Sequence, residues 1–386
     1  MLDARDIGRM LAAFKRPDRI RAITLIASTS IFDKFFRVAK CPLPALESLE
    51  LRNPNQALKI PAKFLKGSSH LNLRTLKLHR ISLPPILQLL SSASALTHLS
   101  LVTDPDVGPL TAMSFILCLQ GMPCLCHFSL EMTSRIDGMK QPTENFSLSK
   151  LTFFHYRGYS AFLNSLTAVL AVPSLREVDI SLRDTTRPPF PHVIRFINDI
   201  EEHFHAFKFI LNYNGLELLF FTHSEIVGHH TPRFTLRSNI LSESIPQLST
   251  AFSAKLIAVQ EVFAFFEGIP TDPDEEDYDE AYFIPWRSFL LQFPRVKALH
   301  LKGENYLHVA NALQEGGGGP LSFSALEEIE LCPRSSGSLS VYQQRTPSDQ
   351  VAIFQPFVSV RQQAGLPIKV FCGKSSPNPP KFGLWL

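Results

Sequence analysis

Leu73-Arg74-Thr75-Leu76-Lys77-Leu78, Leu96-Thr97-His98-Leu99-Ser100-Leu101 and Leu125-Cys126-His127-Phe128-Ser129-Leu130 share one short design. An apolar residue is followed by two variable ones, a second apolar residue, one variable residue and a third apolar one. The same spacing occurs at Leu46/Leu49/Leu51, Leu151/Phe154/Tyr156 and Leu175/Val178/Ile180. It returns late in the chain at Val296/Leu299/Leu301 and Leu326/Ile329/Leu331. Weaker copies stand at Ile20/Ile23/Leu25, Phe204/Phe207/Phe209 and Val259/Val262/Ala264. From Leu46 to Phe204 the first positions are 27, 23, 29, 26, 24 and 29 residues apart. One match would mean little, because Leu is common. Six in succession at near-constant intervals have the period of a leucine-rich repeat.

The spacing has a mechanical meaning. The second and third apolar positions differ by two, so they share one face of a strand. A strand this short must stack on its neighbour, and a parallel stack needs a crossover in every repeat. Residues 85–91, 113–119 and 161–171 have the apolar content of such crossover helices. Pro44, Pro123 and Pro173 stand just before the first apolar position, where the helix has to stop. The expected fold is therefore an α/β leucine-rich-repeat solenoid over residues 18–372, of about eleven strands. Its parallel strands line the concave side and its helices the convex side. A short amphipathic helix (Ile7, Met10, Leu11, Phe14) in residues 1–17 precedes it, and a flexible, Pro-rich tail, 373–386, follows.

Three segments break the rhythm. Residues 212–240 hold two apolar runs, Leu216 to Phe221 and Phe234 to Leu236, expected to form a β-hairpin projecting from the solenoid. Residues 271–280 carry seven acids, an expected solvated loop without the Gly and closing Glu of a calcium site. The glycine run 316–319 lacks the Lys-Ser/Thr of a phosphate-binding loop. A helix over 349–363 and a strand over 368–371 close the pattern.

Composition narrows the function. Hydrophobic residues make up 45% of the 386, enough for a core and against wholesale disorder. A net charge of +3 is too mild to predict nucleic-acid binding. Residues 1–80 nevertheless hold sixteen Lys/Arg against six Asp/Glu, leaving −7 on the rest. No signal peptide and no run of apolar residues long enough to span a membrane is visible, so a cytoplasmic or nuclear protein is expected. Six cysteines in so long a chain are no disulfide framework, and Cys118, Cys124 and Cys126 read as buried reduced thiols between a helix and a strand rather than zinc ligands.

Catalytic signatures are absent. There is no nucleophile elbow, zinc helix or dinucleotide loop, so neither an enzyme nor a cofactor or metal is expected. The candidate site is instead a surface. Residues just before the second and third apolar positions point away from the helices on the concave side. One such column runs Ser48, Thr75, His98, His127, Phe153 and Glu177; the next runs Glu50, Lys77, Ser100, Ser129, His155 and Asp179. Thr75, Lys77, His98, His127, Phe153, His155, Glu177 and Asp179 are the expected protein-contacting set, with Phe153 as an aromatic anchor among polar neighbours. The histidines could in principle take a metal, but a polar, aromatic contact surface is the preferred reading.

Certain stretches resemble a known family. Asp18-Arg19-Ile20-Arg21-Ala22-Ile23-Thr24-Leu25, Pro42-Leu43-Pro44-Ala45-Leu46-Glu47-Ser48-Leu49-Glu50-Leu51 and Leu73-Arg74-Thr75-Leu76-Lys77-Leu78 are similar to segments of fungal F-box proteins with a leucine-rich C-terminal part. The resemblance covers most of residues 10–335. It implies a substrate receptor of a cullin-type ubiquitin ligase, whose repeats choose the target while an F-box docks the adaptor. The F-box itself is not evident, since residues before Asp18 have room for only one short helix. A stand-alone interaction scaffold, with no link to ubiquitin, is the alternative.

Overall fold

The computed structural model describes residues 8, 12–39, 42–54, 56–58, 60–61, 64, 72–81, 84–103, 112–133, 145–183, 191–200, 204–212, 215–222, 234–238, 248, 250–267, 286–302, 306–314, 323–332 and 347–373. The expected N-terminal helix falls largely outside them. So do Cys41, the tip of the 212–240 segment, the acidic loop 271–280, the glycine run 316–319 and the tail from 374. The chain is α/β, with a mostly parallel sheet and helices, and divides into two compact units.

In the first unit, residues 1–184 with 190–201, every copy of the apolar pattern is a strand. In chain order the strands of this unit are β1 (Ala22–Ile26), β2 (Ser48–Arg52), β3 (Thr75–Ile81), β4 (His98–Thr103), β5 (His127–Glu131), β6 (Phe146–Ser147), β7 (Phe153–Gly158), β8 (Leu170–Ala171) and β9 (Glu177–Leu182), of which the two-residue β6 and β8 are not copies of the pattern. The seven longer strands lie side by side in chain order, all parallel, and β6 pairs with β8 apart from them. Connecting helices are α1 (Thr29–Val38), α2 (Pro84–Ser92), α3 (Ala112–Gln120), α4 (Ser160–Val169) and α5 (Pro191–Asn198). The helix expected to reach 171 stops at Val169, because Leu170 and Ala171 extend to pair with β6.

One face of this sheet is the core. Leu49, Leu76, Leu99, Phe128, Phe154 and Val178 form one register row and Leu51, Leu78, Leu101, Leu130, Tyr156 and Ile180 another, all at most 1% exposed. Helices cover it: Phe115 of α3 lies 5.8 Å from Phe128, Phe196 of α5 lies 5.5 Å from Phe154, and Phe162 of α4 stacks at 6.2 Å on Tyr156. Each buried side chain contributes roughly 1.5–3 kcal/mol, which is why register cannot slip. The first apolar residue of each copy closes a tight turn into the strand: the N–H groups of Leu96, Leu125 and Leu175 donate to the carbonyls of Ala93, Met122 and Val172.

The second unit, residues 185–189 with 202–386, holds β10 (Ala206–Asn212), β11 (Gly215–Phe221), β12 (Phe234–Ser238), β13 (Glu261–Glu267), β14 (Ala298–Lys302), β15 (Glu328–Cys332) and β16 (Lys369–Cys372). Its helices are α6 (Ser253–Leu256), α7 (Trp286–Leu290), α8 (Tyr306–Gln314), α9 (Pro347–Ala352) and α10 (Gln355–Gln363). Strand order is β12-β11-β10-β13-β14-β15-β16. β10 and β13 to β16 run parallel, while β11 is antiparallel to both neighbours.

Two expectations change here. The apolar runs of 212–240 pair antiparallel as expected, but as strands of the sheet rather than as a projecting hairpin, and β11 also folds back directly on β10. The cause is that β11 is apolar on both faces. Leu216, Leu218 and Phe220 pack with Phe207, Phe252 and Phe289, whereas Leu219 and Phe221 bury on the opposite face with Ala206 and Phe263. A projecting ribbon would leave these side chains in water. The helix over 349–363 is two helices, split at Ile353 and Phe354. Pro356 stands in the first turn of α10, where its missing N–H is harmless, but deeper in a continuous 349–363 helix it would remove a backbone hydrogen bond, so the helix restarts just before it.

Candidate functional site

The opposite face of the first unit's sheet carries the expected residues. Register makes Ser48, Thr75, His98, His127, Phe153 and Glu177 successive partners across β2, β3, β4, β5, β7 and β9. Glu50, Lys77, Ser100, Ser129, His155 and Asp179 are likewise successive. Both columns are exposed or half-buried between fully buried neighbours on the strand. All eight named contact residues are thus brought onto one surface.

The backbone holds the first column in place. Thr75, His98, His127, Phe153 and Glu177 each donate their N–H to the carbonyl of Glu47, Arg74, Thr97, Cys126 and Thr152 respectively, at 2.9–3.1 Å. The residue before each shares that same carbonyl. Each site residue is therefore fixed to its neighbour by main-chain atoms, whatever its side chain.

Side chains then interlock. His127 lies flat on Phe153, ring centroids 4.0 Å apart and planes 3° from parallel. His98 stacks more loosely on the other side of His127, at 5.6 Å and 23°. His98 Nδ1 meets the Thr97 hydroxyl at 2.9 Å. His155 Nδ1 and Asp179 Oδ2 are 3.0 Å apart. A third column, Arg52, His79, Val102, Glu131, Arg157 and Ser181, was not singled out in the sequence, although reading each strand two residues further would have found it. There the Glu131 carboxylate takes Arg183 at 2.6 Å and Arg157 at 3.6 Å.

Charge on this face is unevenly satisfied. Burial pushes the His127 imidazole down to about 4, helped by the like charges of His98, Lys77 and His155. It is therefore neutral at pH 7. Burial, then Arg52, likewise lowers His79. Among the described residues, no hydrogen-bond partner meets either ring nitrogen of His127, and no carboxylate lies within ion-pair distance of Lys77.

The second unit repeats one of these devices, which was not singled out in the sequence because Phe263 lies in the weak Val259 copy of the pattern. Phe263 of β13 and His300 of β14 stack at 4.0 Å and 6°. His300 Nδ1 meets Glu330 Oε2 of β15 at 2.6 Å. Lys208 is buried on the same face and lies over the Phe265 ring at 4.4 Å.

Among the described residues no group of three His, Cys, Asp or Glu is placed to hold a metal ion, and no helix is long and apolar enough to cross a membrane. Cys118, Cys124, Cys126, Cys332 and Cys372 are not joined in disulfides; Cys118 is buried as expected, but Cys124 and Cys126 are only half-buried. No protein-family model matches the chain, and no curated protein is significantly similar to it in sequence.

Proposed function

We propose that this chain is a leucine-rich-repeat interaction module that works by binding rather than catalysis. The open sheet face of the first unit, the concave side of the proposed solenoid, holds a protein partner. One observation carries the reading: His98, His127 and Phe153 form a continuous stacked strip on adjacent strands, His98 exposed and the other two half-buried, amid polar side chains. Rigid aromatic groups set among hydrogen-bonding ones are what protein interfaces use as anchors. Thr75, Lys77, His155, Glu177 and Asp179 supply the polar rim. Neither nucleic acid nor membrane is proposed as the partner.

The resemblance of the Asp18–Leu25, Pro42–Leu51 and Leu73–Leu78 segments to fungal F-box proteins supports target recognition for a ubiquitin ligase as the role of this binding. Purifying the tagged full-length chain from its native extract tests both levels. Co-purification of a ligase adaptor and cullin supports the receptor role. Their absence beside a reproducible partner makes the chain a stand-alone scaffold instead. The Phe153→Ala and His127→Ala double variant should then weaken the partner at least about 30-fold, since an anchor contributes about 2 kcal/mol or more. An unchanged affinity in a folded double variant would sink the assignment of this face.

A further inference from the structure

We infer that the open face of the first unit takes a carboxylate from its protein partner, an Asp or Glu side chain seated over Ser100 between Lys77, His98 and His127. This rests on the reading of that face as protein-binding and specifies what it recognises.

The molecule itself shows what an imidazole on these open faces takes. His155 faces Asp179 at 3.0 Å, His205 faces Glu261 at 3.8 Å and His300 faces Glu330 at 2.6 Å. The comparison with His300 is closest: it too lies flat on a neighbouring strand's Phe, at the same 4.0 Å centroid distance as His127 on Phe153. In the second unit the adjacent strand supplies Glu330 to complete the set. In the first unit the strand on that side of His127 supplies His98, another imidazole. The stacked ring is present and its acid is not.

The surroundings fit an incoming anion of one charge. Ser100 lies between Lys77 and Ser129 in its column and one step along β4 from His98. Ser100 and Ser129 have short side chains with hydroxyl donors, standing among longer ones. Two of the nearby acids are engaged elsewhere, Glu131 with Arg157 and Arg183 and Asp179 with His155, while Glu50 lies on the far side of Lys77 from Ser100 and makes no ion pair with that lysine. Facing Ser100 that leaves the Lys77 charge, the neutral His127 ring and the His98 ring. A carboxylate matches that set. A phosphate dianion would bring a second charge with no cation to meet it. Phe153, stacked beside His127, asks for an apolar group next to the acid. The like charges that disfavour a proton on His127 would be offset by the anion, so binding should draw that proton on.

The test uses the full-length chain with ¹⁵N-labelled histidine imidazoles and the blocked peptide acetyl-Gly-Phe-Glu-Gly-amide. Its Gln and phosphoserine counterparts serve as the other two arms. The Glu peptide should shift the His127 ring resonances and move its titration midpoint upward by about one pH unit, a tenfold change in proton affinity. Binding should weaken about tenfold or more with the Gln peptide or in the Lys77→Gln variant, whose side chain is exposed and not part of the core. Equal binding of the Glu and Gln peptides, no effect of Lys77→Gln, or no binding at all overturns the assignment. Tighter binding of the phosphoserine peptide overturns it in favour of phosphate. If these arms fail while the Phe153 and His127 double variant still loses its protein partner, the interface stands and only the carboxylate falls.

Discussion

His127 shows how much one residue on a sheet can carry. Its ring is stacked on both sides and its backbone N–H is held by the Thr97 carbonyl, so it cannot turn away to find solvent. Burial and three like-charged neighbours hold its proton affinity at about 4, against an ordinary 6.5. Between those two values the unfolded chain binds a proton that the folded chain does not. Stability is therefore full above pH 6.5 and is lost as pH falls toward 4. The loss should be on the order of 1–3 kcal/mol. Urea unfolding of the wild type and of His127→Gln at pH 7 and pH 4.5 measures it. The variant should lose less stability on acidification than the wild type, and parallel losses would show that His127 is not the group responsible. Position was legible in the sequence, because His98, His127 and Phe153 occupy equivalent places in consecutive copies. The stacking was not, since two neighbouring rings can pass edge-on as easily as flat.

Among elements, α10 holds a feature that no periodicity announces. Arg361 is 1% exposed, and its guanidinium donates to the carbonyls of Phe323, Leu326 and Leu366 at 2.5, 2.7 and 3.1 Å. Phe323 and Leu326 bound the turn that leads into β15, so this one side chain ties α10 to a strand entrance. Replacing Arg361 with Met would keep the bulk but strand several buried carbonyl oxygens. The expected cost is about 2–4 kcal/mol, read as a lower urea midpoint with little change in slope. A change under about 1 kcal/mol would mean that water replaces the guanidinium. In sequence Arg361 looks like any helix-surface arginine. β11 was hard to read for a different reason: its apolar run marks a strand buried on both faces, but a run says nothing of which neighbour it will pair with.

For the whole molecule, most of what places the candidate site was written in the leucines. Period two within a strand and 23 to 29 residues between copies fixed which face is inward and which residues are aligned. Within each unit neighbours in the sheet are mostly neighbours in the chain, so cohesion passes from strand to adjacent strand. Amide exchange should follow that order. β1 and β16, which among the described residues pair only with β2 and β15 respectively, should exchange fastest of the long strands, and β4, β5 and β7 among the slowest. Uniform protection across the strands of a unit would show that it opens as one block.

The shared carbonyls beside the first column have an evolutionary consequence. Because main-chain hydrogen bonds hold Thr75, His98, His127, Phe153 and Glu177 in register whatever their side chains, the chain can exchange those side chains while the strands stay paired. Mutation there is free to explore recognition while the scaffold is inherited intact. A library randomised at these five positions should retain its folded members and diverge in what they capture, so new specificity can arise on this surface one substitution at a time.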